Sequence, residues 1–412
     1  MPDQRVLPPE SRGDEDENLL RGVTVIDLGQ IYNAPYATLL LAQAGAKVIK
    51  VEPPGGERNR KRAKWNLNGA GYPFEMMNAN KLGVTLNLKI PEGRELLLDM
   101  AARADVLVEN FRSGVMDRLG LGPSTLHRTN KSLVYASSSG FGKDSGYGTL
   151  AAMDVTIQAM SGAMDATGFE GDPPVKSGAA IADFFAGVHL FGGIVTALVR
   201  RERTGAGAVV DVAMMDAILP SMAPVLGAAF ARHQVVVRSG NESITKAYAP
   251  YNMYATTSGH VVVAIRTDDE WQALATCLRA ARIQVPGGLE GVESRLERLR
   301  EVDELVEKWT KSRTTEEILA AANDGHVPCV PVRHLADVVG DPYFRRRGLL
   351  VDCDLPGLGQ LPILRSPIRV GDDGRVRLRL APKLGEHNRD VYVNWLGRSP
   401  EELHALQRAG VV

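Results

Sequence analysis

Asp183 stands at the head of a long apolar run, in Gly178-Ala179-Ala180-Ile181-Ala182-Asp183-Phe184-Phe185-Ala186-Gly187. A carboxylate there has two uses. It can cap a helix by accepting from the free amides of the first turn, where Asp is among the best residues. It can also act as a nucleophile, since the position keeps it ionised and fixed in direction, although a strongly stabilised anion attacks less readily. Spacing alone leaves both open. The other candidates lie on loops that carry Gly or Asn: Asp27 to Pro35 (DLGQIYNAP), Glu52 to Arg62, Glu109 to Arg112 and Ser137 to Gly142. The second holds Pro53-Pro54-Gly55-Gly56 and then Arg58, Arg60, Lys61, Arg62 and Lys64. Such a patch either holds phosphates or is a solvated basic loop. Asn110 reads locally as a turn residue closing a strand. His189, six residues after Asp183, falls off the carboxylate's face and reads as a packed helix histidine. Asp211 and Asp216 read as orienting a strand-to-helix corner, and Met214, Met215 and Met222 as core.

Several common chemistries are excluded. No G-x-G-x-x-G follows the first strand, which disfavours NAD and FAD, and G-x-x-x-x-G-K-[ST], H-E-x-x-H and G-x-S-x-G are absent. The three cysteines, Cys277, Cys329 and Cys353, lie too far apart for a disulfide framework or a close-spaced zinc site, so the sequence predicts a reducing, cytoplasmic compartment. With 48 Lys+Arg against 49 Asp+Glu the formal net charge is -1, which leaves no global field for nucleic acid or an anionic membrane. Any polyanion must be small and met locally. The polar, acidic start lacks the apolar core of a signal peptide, and the longest apolar stretches, such as Phe184 to Val199, fall short of the roughly 20 residues of a membrane span.

These loops need elements to position them. Short β-branched runs alternate with helical patterns, which predicts an α/β fold with a parallel sheet. The strands are Val23 to Leu28, Lys47 to Val51, Val84 to Leu88, Val106 to Val108, Leu133 to Ala136 and Val209 to Val212. Helices are expected at Ala34 to Ala44, Pro91 to Ala104, Asp183 to Arg203 and Met214 to Phe230. Further along come a hairpin at Tyr254 to Ile265, turning at Ser258-Gly259, and helices at Asp269 to Arg282, Val292 to Ser312 and Thr315 to Asp324. Strands at Leu349 to Asp352, Gly359 to Pro362 and Arg375 to Leu380 and a last helix at Ser399 to Ala409 complete the chain. Its 412 residues exceed one ordinary core. The expected organisation is a flexible tail over 1–18, a large Rossmann-like domain over 19–230, a linker over 231–250, a smaller α+β domain over 251–335, and a linker and return to the large domain over 336–412.

The run LLRGVTVIDLGQIYNAPYATLLLAQAGAKVIKVEPPGGE, then NANKLGVTLNLKIPEGRELLLDMAARADVLVENFRSGVMDRLGLG, resembles the start of the class III CoA-transferases, the superfamily of formyl-CoA transferase, carnitine CoA-transferase and α-methylacyl-CoA racemase. LVYASSSGFGKDSGY, GAAIADFFAGVHLFGGIVTALVRRERTGAGAVVDVAMMDA and KLGEHNRDVYVNWLG continue the match in order, so it covers about residues 19 to 412. The resemblance implies a large domain built from both chain ends, a small domain, and two subunits interlocked as a homodimer. It implies that Asp183 is a nucleophile forming covalent aspartyl intermediates, with acyl-CoA and a carboxylic acid as substrates and no permanent cofactor or metal. Coenzyme A contacts would fall on Gln30, Ile31, Asn110, Phe111 and Arg118, with Ser139 of the Ser137 to Gly142 loop, and the ADP phosphates on Arg58 and Arg60. Two departures stand out. The racemases' Gly-His-Asp proton carrier is matched by Ala152-Met153-Asp154, and Met153 cannot shuttle a proton. The glycine-rich loop of formyl-CoA transferase is matched only by Arg238-Ser239-Gly240-Asn241, which speaks against formyl and oxalyl groups. The alternatives are an intramolecular CoA-transferase, a racemase or epimerase, and a CoA-ester-binding protein without turnover.

Overall fold

The six apolar runs form one parallel sheet. A computed structural model describes residues 19–61, 66–67, 70–148, 150–232, 238–355, 359–371 and 376–412. The strands are β1 (Thr24–Asp27), β2 (Lys47–Glu52), β3 (Leu82–Thr85), β4 (Val106–Glu109), β5 (Val134–Ser139) and β6 (Ala208–Ala213). They pair in the order β3-β2-β1-β4-β5-β6, with Val25 beside Val106 and Ile26 beside Leu107. This is the doubly wound order, in which the chain changes direction across the sheet between β1 and β4. Loops leaving those two strands diverge and open a crevice at their carboxyl ends.

Alternation along each strand sends side chains to two separate cores. Ile26, Ile49, Val84 and Leu107 face helix α2 (Pro91–Ala101) and the C-terminal Val391 and Tyr392. Val25, Val48, Val106 and Val134 face α1 (Asn33–Gln43) and α3 (Ile181–Thr204). Pro91 begins α2, where its missing N–H costs no helical bond, and Gly205 at φ 68° ends α3, with Arg201 and Arg203 in the last turn. A Cβ on Gly187 would lie 2.8 Å from the Asn33 carbonyl oxygen, so only glycine permits α3 to approach α1 this closely. At 24 residues and a mean hydropathy of 1.7 over its most apolar window, α3 is long and apolar enough to cross a membrane, contrary to the expectation from residues 184–199. Here Leu190, Ile194, Ala197 and Leu198 bury it against the sheet.

The chain divides into two compact units, Met1–Met160 with Ala179–Ile218 and Pro342–Val412, and Ser161–Gly178 with Leu219–Asp341. In the first, the C-terminal segment borders β3: Tyr392 donates to the Thr85 carbonyl at 2.7 Å, and the Asn388 side chain bonds the Thr85 amide at 2.9 Å and its hydroxyl at 2.8 Å. The second contains an antiparallel sheet of Tyr251–Ala255, His260–Ala264 and Cys329–Pro331, whose Val261 and Val263 pack with Trp271 and Trp309.

Four expectations need correction. The helix over 214–230 is broken into Met214–Ile218, a 3-10 turn at Leu219–Met222 and Ala223–Arg232, because Pro220 and Pro224 lack the donor that a continuous helix requires. The helix over 292–312 is split at Arg298 into Val292–Glu297 and Leu299–Thr310. Residues 376–380 are irregular rather than a strand, since the Arg377 and Arg379 carbonyls are taken by the side chain and amide of Asn80; Arg375 lies outside the described residues. His189 is exposed, its Nδ1 bonded to the Phe185 carbonyl at 2.8 Å, and is not packed. The tail over 1–18 also lies outside the described residues.

Candidate active site

At the end of β1 the chain must turn sharply, and Asp27 fixes the turn. Its carboxylate accepts from the Gly29 amide and the Thr38 hydroxyl, each at 2.7 Å, and from Lys81 Nζ at 2.9 Å. Burial opposes charge on Asp27, but Lys50 and Lys81 outweigh it and hold the carboxyl below its ordinary value. Burial in turn pulls the Lys81 ammonium down to about 8, against the pull of Asp27. A Cβ on Gly29 would sit 2.8 Å from the Asp27 carboxylate, so the turn requires glycine. Ile31 follows at φ 68°, a left-handed conformation that costs a branched side chain energy, and Asn59 donates to its carbonyl at 3.1 Å.

Asn110, just beyond β4, closes the crevice from the other side. Its side chain accepts from the Gln30 amide and donates to the Gln30 carbonyl, both at 2.8 Å. This reciprocal pair locks the two diverging loops at the switch point. Beneath it Glu109 accepts from the Phe111 amide at 2.7 Å and from the Tyr135 hydroxyl at 3.0 Å, and burial pushes its carboxyl up to about 7. Asn33 at the start of α1 reaches β5, donating to Ser138 Oγ at 2.8 Å.

Asp183 occupies the first turn of α3 but does not cap it. The N-cap residue is Ala180, and the cap bonds come from Asp154, whose Oδ1 accepts from the amides of Ala182 at 2.8 Å and Asp183 at 3.3 Å. Gln158 donates to the other Asp154 oxygen at 2.6 Å. The cap reading of Asp183 is thus corrected: it is the third residue inside the helix, and the free amides of that turn are capped by Asp154 instead. Its half-buried carboxylate accepts no hydrogen bond among the described residues. Burial pushes that carboxyl up to about 7, and the charge of Asp154 adds to the effect. Phe184, the next residue, wedges against Tyr36 edge-on with ring centroids 4.8 Å apart.

A cavity of about 1090 Å³ opens over these loops. Gln30, Ile31, Arg58, Asn110, Phe111 and Ser139 line it, together with Asp183. Two expected residues do not. Arg60 is buried, paired with Glu52 at 2.7 and 3.0 Å, bonded to the Pro382 carbonyl at 2.8 Å and laid over the Phe74 ring, so it holds the fold rather than a phosphate. Arg118 is exposed beside Gly114, outside the lining. Arg62 and Lys64 lie outside the described residues. In their place Lys61 and Arg112 bring positive charge to the wall, and Met153, Asp154 and Met214 bound it near Asp183. Met214 therefore faces the cavity as well as the core. The sequence signal for Arg112 was its adjacency to the Glu-Asn-Phe motif; nothing local distinguished Met214. Among the described residues no group of three or more His, Cys, Asp or Glu side chains stands together as a metal site.

The chain matches CoA-transferase family III over residues 20–388. It belongs to that family. Formyl-CoA:oxalate CoA-transferase of Streptomyces coelicolor is 33% identical over 410 residues, covering 95% of this chain and 99% of the relative. Succinyl-CoA:mesaconate CoA-transferase of Haloarcula marismortui is 34% identical over 382 residues, covering 90% and 95%. A CAIB/BAIF family protein from Brucella suis has a solved structure that superposes with a TM-score of 0.81 at 32% identity, covering 91% of this chain and 98% of that one. The protein is an enzyme of class III, moving CoA between an acyl-CoA thioester and a free carboxylic acid. Formyl-CoA:oxalate CoA-transferase stands among these relatives, although the missing glycine-rich loop speaks against formyl and oxalyl groups here.

Proposed function

We propose that this CoA-transferase works through covalent intermediates on Asp183. An Asp183 oxygen bonds to the acyl carbon of the donor thioester and the carbon–sulfur bond breaks, giving an aspartyl-acyl anhydride and CoA thiolate. The thiolate attacks the aspartyl carbonyl and expels the donor acid as its carboxylate. The acceptor carboxylate then attacks the aspartyl-CoA thioester, and the released thiolate captures the acceptor's acyl carbon, freeing Asp183. The observation that carries this reading is the Asp183 carboxylate itself, unbonded among the described residues and facing a cavity at the carboxyl ends of β1, β4 and β5. Coenzyme A lies with its phosphates toward Arg58, Lys61 and Arg112, whose cationic donors suit phosphate oxygens, and its thioester arm along Gln30, Ile31, Asn110, Phe111 and Ser139. Met153 bounds the cavity where the racemases carry a proton, which argues against proton exchange at the α-carbon.

The remaining features of the reading are a large domain made from both chain ends, a small domain over 251–335, an interlocked homodimer, a cytoplasmic location and no permanently bound cofactor. The bonds of Asn388 and Tyr392 to β3 support the large domain made from both chain ends, the exposed Phe185, Val188 and Val199 on α3 support the dimer, and the free thiols of Cys277, Cys329 and Cys353 support the cytoplasmic location. The direct test of the nucleophile is Asp183→Ala. Transfer is expected to vanish while calorimetric CoA affinity stays within about twofold, as for a group that acts on the transition state alone; a variant that still turns over removes Asp183 from the chemistry.

A further inference from the structure

The covalent reading leaves one carboxylate unused. Asp154 stands where the racemases keep an acid beside their proton carrier, yet here Met153 has replaced that carrier. The first-turn amides of any helix need acceptors, and an acidic residue at the third helical position, as Asp183 is on α3, ordinarily folds back to supply one. A carboxylate bound in that way is stabilised as an anion and loses nucleophilicity. We infer that Asp154 is the positioning residue of the nucleophile: its carboxylate makes the cap bonds that the Ala180 side chain cannot, and so fixes the first turn of α3 and the Asp183 it carries at the cavity, with the Asp183 carboxylate left out of the cap.

Three observations meet on this point. Asp154 Oδ1 receives both the Ala182 and Asp183 amides, and Gln158 pins its second oxygen, so the side chain is fixed from two directions. Asp183 accepts no hydrogen bond among the described residues although it lies in the turn where donors concentrate. Both carboxylates border the same cavity. The charge of Asp154 matters as well as its oxygens. The elements against the first turn of α3 present Asp154 from helix Asp154–Met160 and the phenols of Tyr32, just before α1, and of Tyr36 on α1; helix Met214–Ile218, which also packs on α3, carries the exposed Asp216. Among the described residues only Asp154 acts by its charge on Asp183, and it makes the Asp183 carboxyl more basic. A more basic carboxylate is a better nucleophile toward a thioester carbon, provided the pH is high enough to ionise it.

The inference rests on Asp183 being the nucleophile, and two substitutions separate it from that reading. Asp154→Asn keeps a cap acceptor and removes the charge, whereas Asp154→Ala removes both. With a transferable acyl-CoA and acceptor, Asp154→Asn is expected to lower kcat several-fold and to move the acid limb of the kcat/KM profile to lower pH. Asp154→Ala is expected to lower kcat on the order of 10²-fold, the scale of a misplaced reacting group. In both, KM for acyl-CoA stays within about twofold. Melting curves and CoA calorimetry on each variant establish that the fold is kept, and Asp154→Asn guards against Asp154→Ala failing to fold. Unchanged kcat in a folded Asp154→Ala overturns the inference, an unmoved acid limb in Asp154→Asn overturns the part played by its charge, and a loss carried by KM overturns it by making Asp154 a substrate contact. Activity surviving in Asp183→Ala instead overturns the underlying reading, whatever the Asp154 variants do.

Discussion

The carboxyl of Asp183 is pushed up to about 7, first by burial and then by Asp154, and two measurable consequences follow from the sign of that shift. Only the ionised form attacks, so kcat/KM, which reports the free enzyme, is expected to rise with pH through about 7 and then level; a profile flat from pH 5 to 9 contradicts this. For stability the folded carboxyl titrates above the unfolded one. The cost of Asp183 is absent below the ordinary value of 3.8, grows as pH rises toward 7 and is constant above. Asp183→Asn is therefore expected to raise Tm by a few degrees at pH 8 and to leave it unchanged near pH 4; no gain at pH 8 contradicts the burial of charge. The sequence displayed Asp183 because an acid directly before a long apolar run is conspicuous. It hid the cap, because Asp154 comes from a separate helix 28 residues before the amide of Ala182. It also hid the inward turn of Arg60, since the composition of the Arg58 to Lys64 loop does not reveal which basic side chain finds a buried acid such as Glu52.

Elements were more legible than contacts. Strand runs of β-branched residues and the proline and glycine boundaries of α1, α2 and α3 were readable because periodicity and capping are local properties. The failures at elements came from the same local logic being overruled or ignored. Pro220 and Pro224 were visible inside the Met214 to Phe230 run, and their missing amides should have divided it. The Arg375 to Leu380 run alternates like a strand, yet its carbonyls are satisfied by Asn80, a turn residue at φ 66° almost 300 positions earlier in the chain, with a separation of 297 for the Arg377 bond. The strand order around the switch point was not readable from any one element. Still, the four loops read as ligand-binding candidates, after β1, β2, β4 and β5, all contribute to the lining of one cavity, because a parallel sheet gathers its strand ends whichever order it adopts.

At the scale of the whole molecule, the near-balance of charge and the positive residues of the cavity lining fit together. A net charge of -1 gives no long-range attraction for polyanions, while Arg58, Lys61 and Arg112 in the cavity lining supply local positive charge for a small polyanion such as CoA. The exposed apolar side chains of α3 bear on the proposed dimer. Sedimentation equilibrium at micromolar concentration is expected to give twice the chain mass, and a monomer would contradict interlocked subunits. The central claim concerns a bond rather than an assembly. Enzyme incubated with an acyl-CoA it turns over, and then with hydroxylamine, is expected to carry a hydroxamate on Asp183, located by peptide mass and absent from Asp183→Ala. A turned-over substrate that leaves Asp183 unmodified, or a hydroxamate on another carboxylate, would contradict the covalent role of Asp183.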